Sequence, residues 1–205
     1  MALAKILFEP LMRWSILLFD RLYFRAHHWH GQIDDFSGPV LLVANHFSWW
    51  DGLWVMLRFG QTRWQLAVPM LESQLQSRPF LRWWGARPLR AGKSLPLQIQ
   101  ACRDACSKQN QLLLLFPQGQ IASLATGHFS FQTGMLRKLL QPGIQLVFLY
   151  QTVEYGNQPR PEVHHFLAAQ GESIKPADIE AAYNHFVEQC RWQLAAEMQQ
   201  NMERL

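Results

Sequence analysis

The chain has 205 residues, 49% of them hydrophobic and only 17% charged. That is enough for one α/β domain with its own core, and no internal repeat or low-complexity linker suggests a second. A net charge of +4 favours anionic partners but is too modest to choose among phosphates, acidic lipid and nucleic acid.

Residues 1–26 lead with a candidate helix. Lys5, Glu9 and Arg13 interrupt its apolar run, and no small-residue cleavage site follows, so it does not read as a signal peptide. The run "WSILLF" is far shorter than the roughly 20 residues a membrane span needs. Lys5, Glu9, Arg13 and Asp20 share one narrow stripe at about 100° per residue. An amphipathic helix of this kind either packs under the domain or lies in a membrane interface. Nine Trp and thirteen Phe fit a core or an interface. Pro10 is expected to kink the helix.

The polar stretch "HHWHGQIDDFSG" follows, with no strand before it, and reads as a solvated loop. It contains one His–Asp pair, His30 and Asp35. The run 38–45, "GPVLLVAN", reads as a buried strand. A second pair with the same spacing, His46 and Asp51, comes directly after it. Five positions along one helix turn about 500°, which leaves two side chains about 140° apart. A loop His followed by an Asp in the first helical turn escapes that limit. "SWWD" (48–51) is a capping-box pattern opening a helix from about Ser48 to Phe59. Asp51 is therefore either a helix-start acid or the rigid partner of an imidazole, and the two roles are compatible.

A strand is predicted over 64–70 and a helix over 71–85, broken at Pro79. The stretch "RPFLRWWGARPLRAGKS" carries Arg78, Arg82, Arg87, Arg90 and Lys93 with no acid. It suits a phosphate or carboxylate, anionic lipid, single-stranded nucleic acid, or simply solvent. A helix over 94–109 carries Cys102 and Cys106, read as small apolar residues. The three Cys lack a Cys-x-x-Cys motif, so no metal is expected there and a reduced, cytoplasmic setting fits best. "QLLLLF" (111–116) is another buried strand, stopped by "PQGQ". A helix over 131–141, strands over 144–155 and 161–169, and a long helix from about Pro176 complete the chain. Apolar strands alternating with helices predict a mostly parallel central sheet flanked by helices. Ligands in such folds gather at the carboxyl ends of strands, which favours His46 over His30.

These segments, in order, resemble the glycerolipid acyltransferase superfamily, the lysophosphatidic-acid-acyltransferase-like proteins. The resemblance spans about residues 39–155. Asn45-His46-"FSWW"-Asp51 resembles the family's Asn-His, four residues, Asp block. "GARPLR" resembles its Gly-then-Arg block, and "FPQGQI" its Phe-Pro-Glu-Gly block. "FQTG" and the apolar strand "IQLVFLY" follow in place. Gln118 stands where the family usually has Glu, and no Arg follows Gly119.

The resemblance implies a glycerol-3-phosphate-acyltransferase-like α/β fold. It implies acyl transfer from a thioester, on coenzyme A or acyl carrier protein, to a hydroxyl of a lysophospholipid-like or other lipid acceptor. His46 would be the general base and Asp51 its partner. Arg87, Arg90, Lys93, Phe116, Pro117, Gln118 and Gly119 would bind substrate, and the backbone around Gly119 would meet the oxyanion. Trp49, Trp50 and Trp54 would wall an acyl groove or fill the core. No metal and no cofactor beyond the acyl thioester is implied. The expected location is peripheral, on the cytoplasmic face of a membrane, with no nucleic-acid partner. The altered third block leaves a second reading open, a catalytically silent lipid-binding module.

Overall fold

The computed structural model describes residues 2–32, 38–60, 62–90, 98, 104, 110–140, 142–171 and 174–202. Asp35, Lys93, Cys102, Cys106 and all but two positions of the helix expected over 94–109 lie outside the described residues.

The described elements begin with α1 (Ala2–Tyr23), β1 (His27–His30), β2 (Val40–Ala44), α2 (Trp50–Phe59), β3 (Gln65–Leu71) and α3 (Glu72–Ser77). A 3-10 helix (Pro79–Trp84), β4 (Ala86–Leu89) and β5 (Gln111–Leu115) follow. The remaining elements are α4 (Thr133–Leu139), β6 (Gln145–Glu154), β7 (Glu162–Ala169) and α5 (Ile179–Met202). The strands form one seven-stranded sheet in the order β1-β7-β6-β2-β5-β3-β4. All neighbours are parallel except β6 and β7, which run antiparallel.

β2 and β5 are buried at every position, and all of those positions but Gln111 are apolar, because both faces of the sheet are covered. Leu41, Val43, Leu113 and Phe148 meet Ile179, Tyr183 and Val187 of α5 on one face. Val40, Leu42, Leu114 and Val147 meet Leu53, Met56 and Phe59 of α2 on the other. The two-residue alternation of a strand makes this split. Gly85, with φ +99°, turns the chain into β4; a Cβ there would stand 2.1 Å from the Leu66 carbonyl oxygen. Only glycine lets the chain pass that close to β3.

Two strands escape the sequence reading. The first four residues of the stretch expected to be a solvated loop form β1, paired in parallel with β7. "HHWH" has no apolar alternation, yet its rings stack on β7: Trp29 on His165 with centroids 3.9 Å apart, and His30 on Phe166 at 4.3 Å. β4 is short and half exposed, so its pattern is weak.

α1 runs continuously through Pro10. Two residues of its polar stripe, Arg13 and Asp20, turn toward the protein. Asp20 is buried and accepts from Trp54 Nε1–H at 2.9 Å, and Arg13 donates to the Leu57 carbonyl at 3.3 Å. Leu11, Trp14, Phe19 and Leu22 are more than half exposed. Among the described residues no helix is long and apolar enough to cross a membrane.

Candidate active site

The central strands β2 and β5 end side by side, Val43 opposite Leu115. The residues just past those ends, His46 and Phe116, therefore meet. Their rings stack with centroids 4.4 Å apart. This is the carboxyl edge of a parallel sheet, where the backbone of such folds leaves room for a ligand.

Asn45 sets the exit of β2. Its side-chain amide donates to the Gln151 carbonyl at 2.9 Å, and its Oδ1 accepts the Gln151 N–H at 2.8 Å. The side chain thus continues the β2–β6 ladder while its own backbone turns away. Tyr183, on α5, buttresses this point by donating to the Leu149 carbonyl at 2.8 Å.

The turn after Asn45 is organised by one oxygen. Asp51 Oδ2 accepts the Phe47 N–H at 2.7 Å and the Ser48 N–H at 2.9 Å, and stands 2.9 Å from His46 Nδ1. The expected capping box is half formed. Asp51 reaches back to the Ser48 N–H as such a box requires, but Ser48 Oγ accepts the Trp50 N–H, one residue early. α2 accordingly starts at Trp50 rather than Ser48. The capping role and the pairing with His46 coexist in one carboxylate.

Burial pushes the Asp51 carboxyl above its ordinary range, and the N–H donors on Oδ2 pull it back without cancelling the rise. Asp51 is fully buried, whereas the His46 side chain keeps 24% exposure. With the carboxylate as acceptor, His46 carries its proton on Nδ1. Nε2 then holds a lone pair, as a general base requires.

Phe116 to Gly119 form the opposite wall. Gln118 is buried, and its Oε1 accepts the His46 backbone N–H at 2.6 Å. The Ala122 N–H donates to the His46 carbonyl at 2.8 Å. His46 is thus held at its backbone from both sides by the loop after β5. Gly119 has φ +72°, and a Cβ there would lie 2.5 Å from Gln132 Nε2. Its own N–H donates to the Phe116 carbonyl at 3.1 Å and closes the turn.

A cavity of about 430 Å³ opens beside His46. Phe116, Pro117 and Gly119 line it near His46, and Leu53, Met56 and Leu81 line it farther in. Of the three Trp considered as walls, Trp49 lines it. Trp54 is buried against Asp20, and Trp50 packs edge-on against Phe24 with centroids 5.4 Å apart. Of the basic run, Arg78 lines the cavity, its guanidinium 5.3 Å above the Trp49 ring. Arg87 is exposed on β4 outside it, and Arg90 Nε is paired with Glu72 Oε1 at 3.0 Å. Arg78 was one of five cations in that run. What singles it out, its place where α3 meets the 3-10 helix at the cavity rim, is a matter of tertiary structure.

The sequence pattern of the acyltransferase family matches residues 24–149, more than half of the chain. The chain belongs to the acyltransferase family. The match holds β2, the His46 turn, the cavity and the loop after β5, so the acyltransferase region and the site coincide. No curated protein matches the chain.

Proposed function

We propose that this acyltransferase moves a fatty acyl group from a thioester, on coenzyme A or acyl carrier protein, to a hydroxyl of a lysophospholipid-like or other lipid acceptor. The observation that carries the reading is the His46–Asp51 pair at the mouth of a largely apolar cavity. A hydroxyl is a poor nucleophile near neutral pH. His46 Nε2 takes its proton as the oxygen attacks the thioester carbonyl, an effect worth about 10²–10⁴ in rate. Asp51 holds the tautomer and stabilises the imidazolium that forms. The tetrahedral intermediate collapses by expelling the thiolate, which recovers the proton from His46. Because the Gly119 N–H is spent on Phe116, the oxyanion donors in this scheme are other N–H groups of the same loop, such as that of Gln120. Arg78 anchors a phosphate or carboxylate of donor or acceptor. Leu53, Met56 and Leu81 surround the acyl chain.

The exposed apolar side of α1 supports a peripheral membrane location, with the cytoplasmic face as the expected side. The silent-module reading rested on the changed third block, in which Gln118 replaces Glu and no Arg follows Gly119; the Gln118 half of that argument is answered by its contact. Gln118 Oε1 makes a bond to the His46 N–H that an ionised Glu could also make, so the change removes a charge and keeps the contact. That favours the enzyme.

The test follows free thiol released from an acyl thioester in the presence of lysophospholipid and other lipid hydroxyls, for wild type and His46→Ala. Acceptor-dependent release that drops at least about 100-fold in the variant supports the assignment. Release that persists in His46→Ala removes His46 as the base. No release with any acceptor supports the binding module.

A further inference from the structure

The pairing of β1 with β7 creates a second cluster of chemistry that the acyl-transfer site does not use. His28 is opposite His164 in the register, and the alternation of both strands puts His28, His30, Glu162 and His164 on one face. The His28 and His164 rings stack with centroids 4.8 Å apart, and His30 and His164 at 5.7 Å. α5 crosses this face and brings in Glu197. His30, His164 and Glu197 each offer a ligand atom, all within 4.8 Å of one another. So do His28, Glu162 and His164. None of these residues lines the cavity beside His46.

His164 is common to both sets. It is 6% exposed, and its Nε2 is buried with no hydrogen-bond partner. A buried ring nitrogen without a partner is costly unless something else meets it. On the other side of the ring, Nδ1 stands 3.4 Å from His30 Nε2, a long and weak contact. Glu162 is already engaged, by His28 Nε2 at 2.8 Å and Arg25 Nη1 at 3.1 Å. Glu197 has a milder partner, the neutral amide of Gln193 at 2.9 Å. An acid that has not given its charge to an arginine is the better anionic ligand.

We propose that His30, His164 and Glu197 hold a divalent transition-metal ion of the zinc class, tying β1, β7 and α5 together. Two imidazoles and a carboxylate form a borderline ligand set that suits zinc rather than calcium or magnesium. Metal–ligand distances of about 2.0–2.2 Å require the three atoms to draw in toward a common centre. Side-chain torsions at the sheet edge and on α5 supply that movement. Three protein ligands leave a fourth position for water.

Among the described residues no cysteine, the usual sequence signal for zinc, belongs to this site. His30 and His164 lie 134 positions apart, so no spacing motif announces them.

The test uses the full chain without a histidine tag, stripped with a chelator and titrated calorimetrically with Zn²⁺, and with Co²⁺ followed by its visible absorption. The expected result is one ion per chain, a Co²⁺ spectrum of low coordination number, and a raised unfolding temperature. Glu197→Gln, a change on the surface of α5, is expected to weaken Zn²⁺ at least about tenfold while leaving the metal-free unfolding temperature unchanged. Glu162→Gln is expected to leave the affinity within about twofold, a smaller loss than removing a ligand gives. Undiminished binding in Glu197→Gln with loss in Glu162→Gln overturns this ligand set. Undiminished binding in His164→Gln, or none in the wild type, overturns the site.

Discussion

Gln118 shows how one side chain can hold a histidine in place through its backbone. It accepts the His46 N–H from a buried position. Gln118→Leu keeps the volume and removes the acceptor, which leaves that N–H unsatisfied. The expected cost is about 1–3 kcal/mol of stability, read from the urea midpoint. Gln118→Glu restores an acceptor and should lie much nearer the wild type. An unchanged midpoint in the Leu variant would show that the bond carries no net stability. At this scale the sequence was most legible for His46 and Asp51, because a strand end and a capping pattern fix a side chain locally. It was least legible for Arg78 and Glu197, whose neighbours come from distant parts of the chain.

At the scale of elements, α1 is informative because its orientation is the reverse of an ordinary surface helix. A polar relay explains the anchoring. Gln151 Nε2–H donates to His165 Nδ1 at 3.0 Å, so His165 carries its proton on Nε2 and donates to His27 Nδ1 at 3.0 Å. His27 then donates from Nε2 to Asp20 Oδ2, also at 3.0 Å. Asp20 is the acceptor at the end of this relay, and it fastens α1 to β1 and α2. The sequence showed the polar stripe but not which way it faced, since Asp20 has a reason to turn inward only once β1 exists. With Arg13 and Asp20 satisfied inside, Trp14 and Leu18 remain outside at 63% and 42% exposure. Trp14→Asp with Leu18→Asp should weaken cosedimentation with anionic vesicles by about 3 kcal/mol or more, from lost apolar burial and added repulsion. The helical signal in circular dichroism should not change. Vesicle binding equal to the wild type would remove α1 as the docking element. β1 itself went unread because its stability comes from rings on another strand, not from its own alternation.

For the molecule as a whole, the alternation of buried strands and helices made the parallel sheet legible, along with its carboxyl edge as the place for a site. The antiparallel β6–β7 pair was not, because a strand's direction depends on its connection and not on its composition. The α5 face of the sheet also sets an alkaline limit. Burial raises the Cys190 thiol to about 12 and holds the Tyr183 hydroxyl well above its usual value. Both groups are neutral in either state at pH 8. Above about pH 9 the unfolded chain ionises Cys190 while the folded one does not, so stability falls as pH rises toward 12. Urea midpoints between pH 8 and 11 should decline, and Cys190→Ala should make the decline shallower. A slope identical in that variant would assign the loss to other groups.

The amide of Asn45, standing in for a strand residue against Gln151, has a consequence for how the resting enzyme can be watched. The Gln151 N–H is locked by the side chain that precedes His46, so its exchange with deuterated solvent is timed by the opening of the His46 turn. An observer on β6 can then clock the looseness of that turn with no substrate present. Asn45→Ala should release that single clock by orders of magnitude, while the β2–β6 amides nearer the middle of the sheet keep their pace.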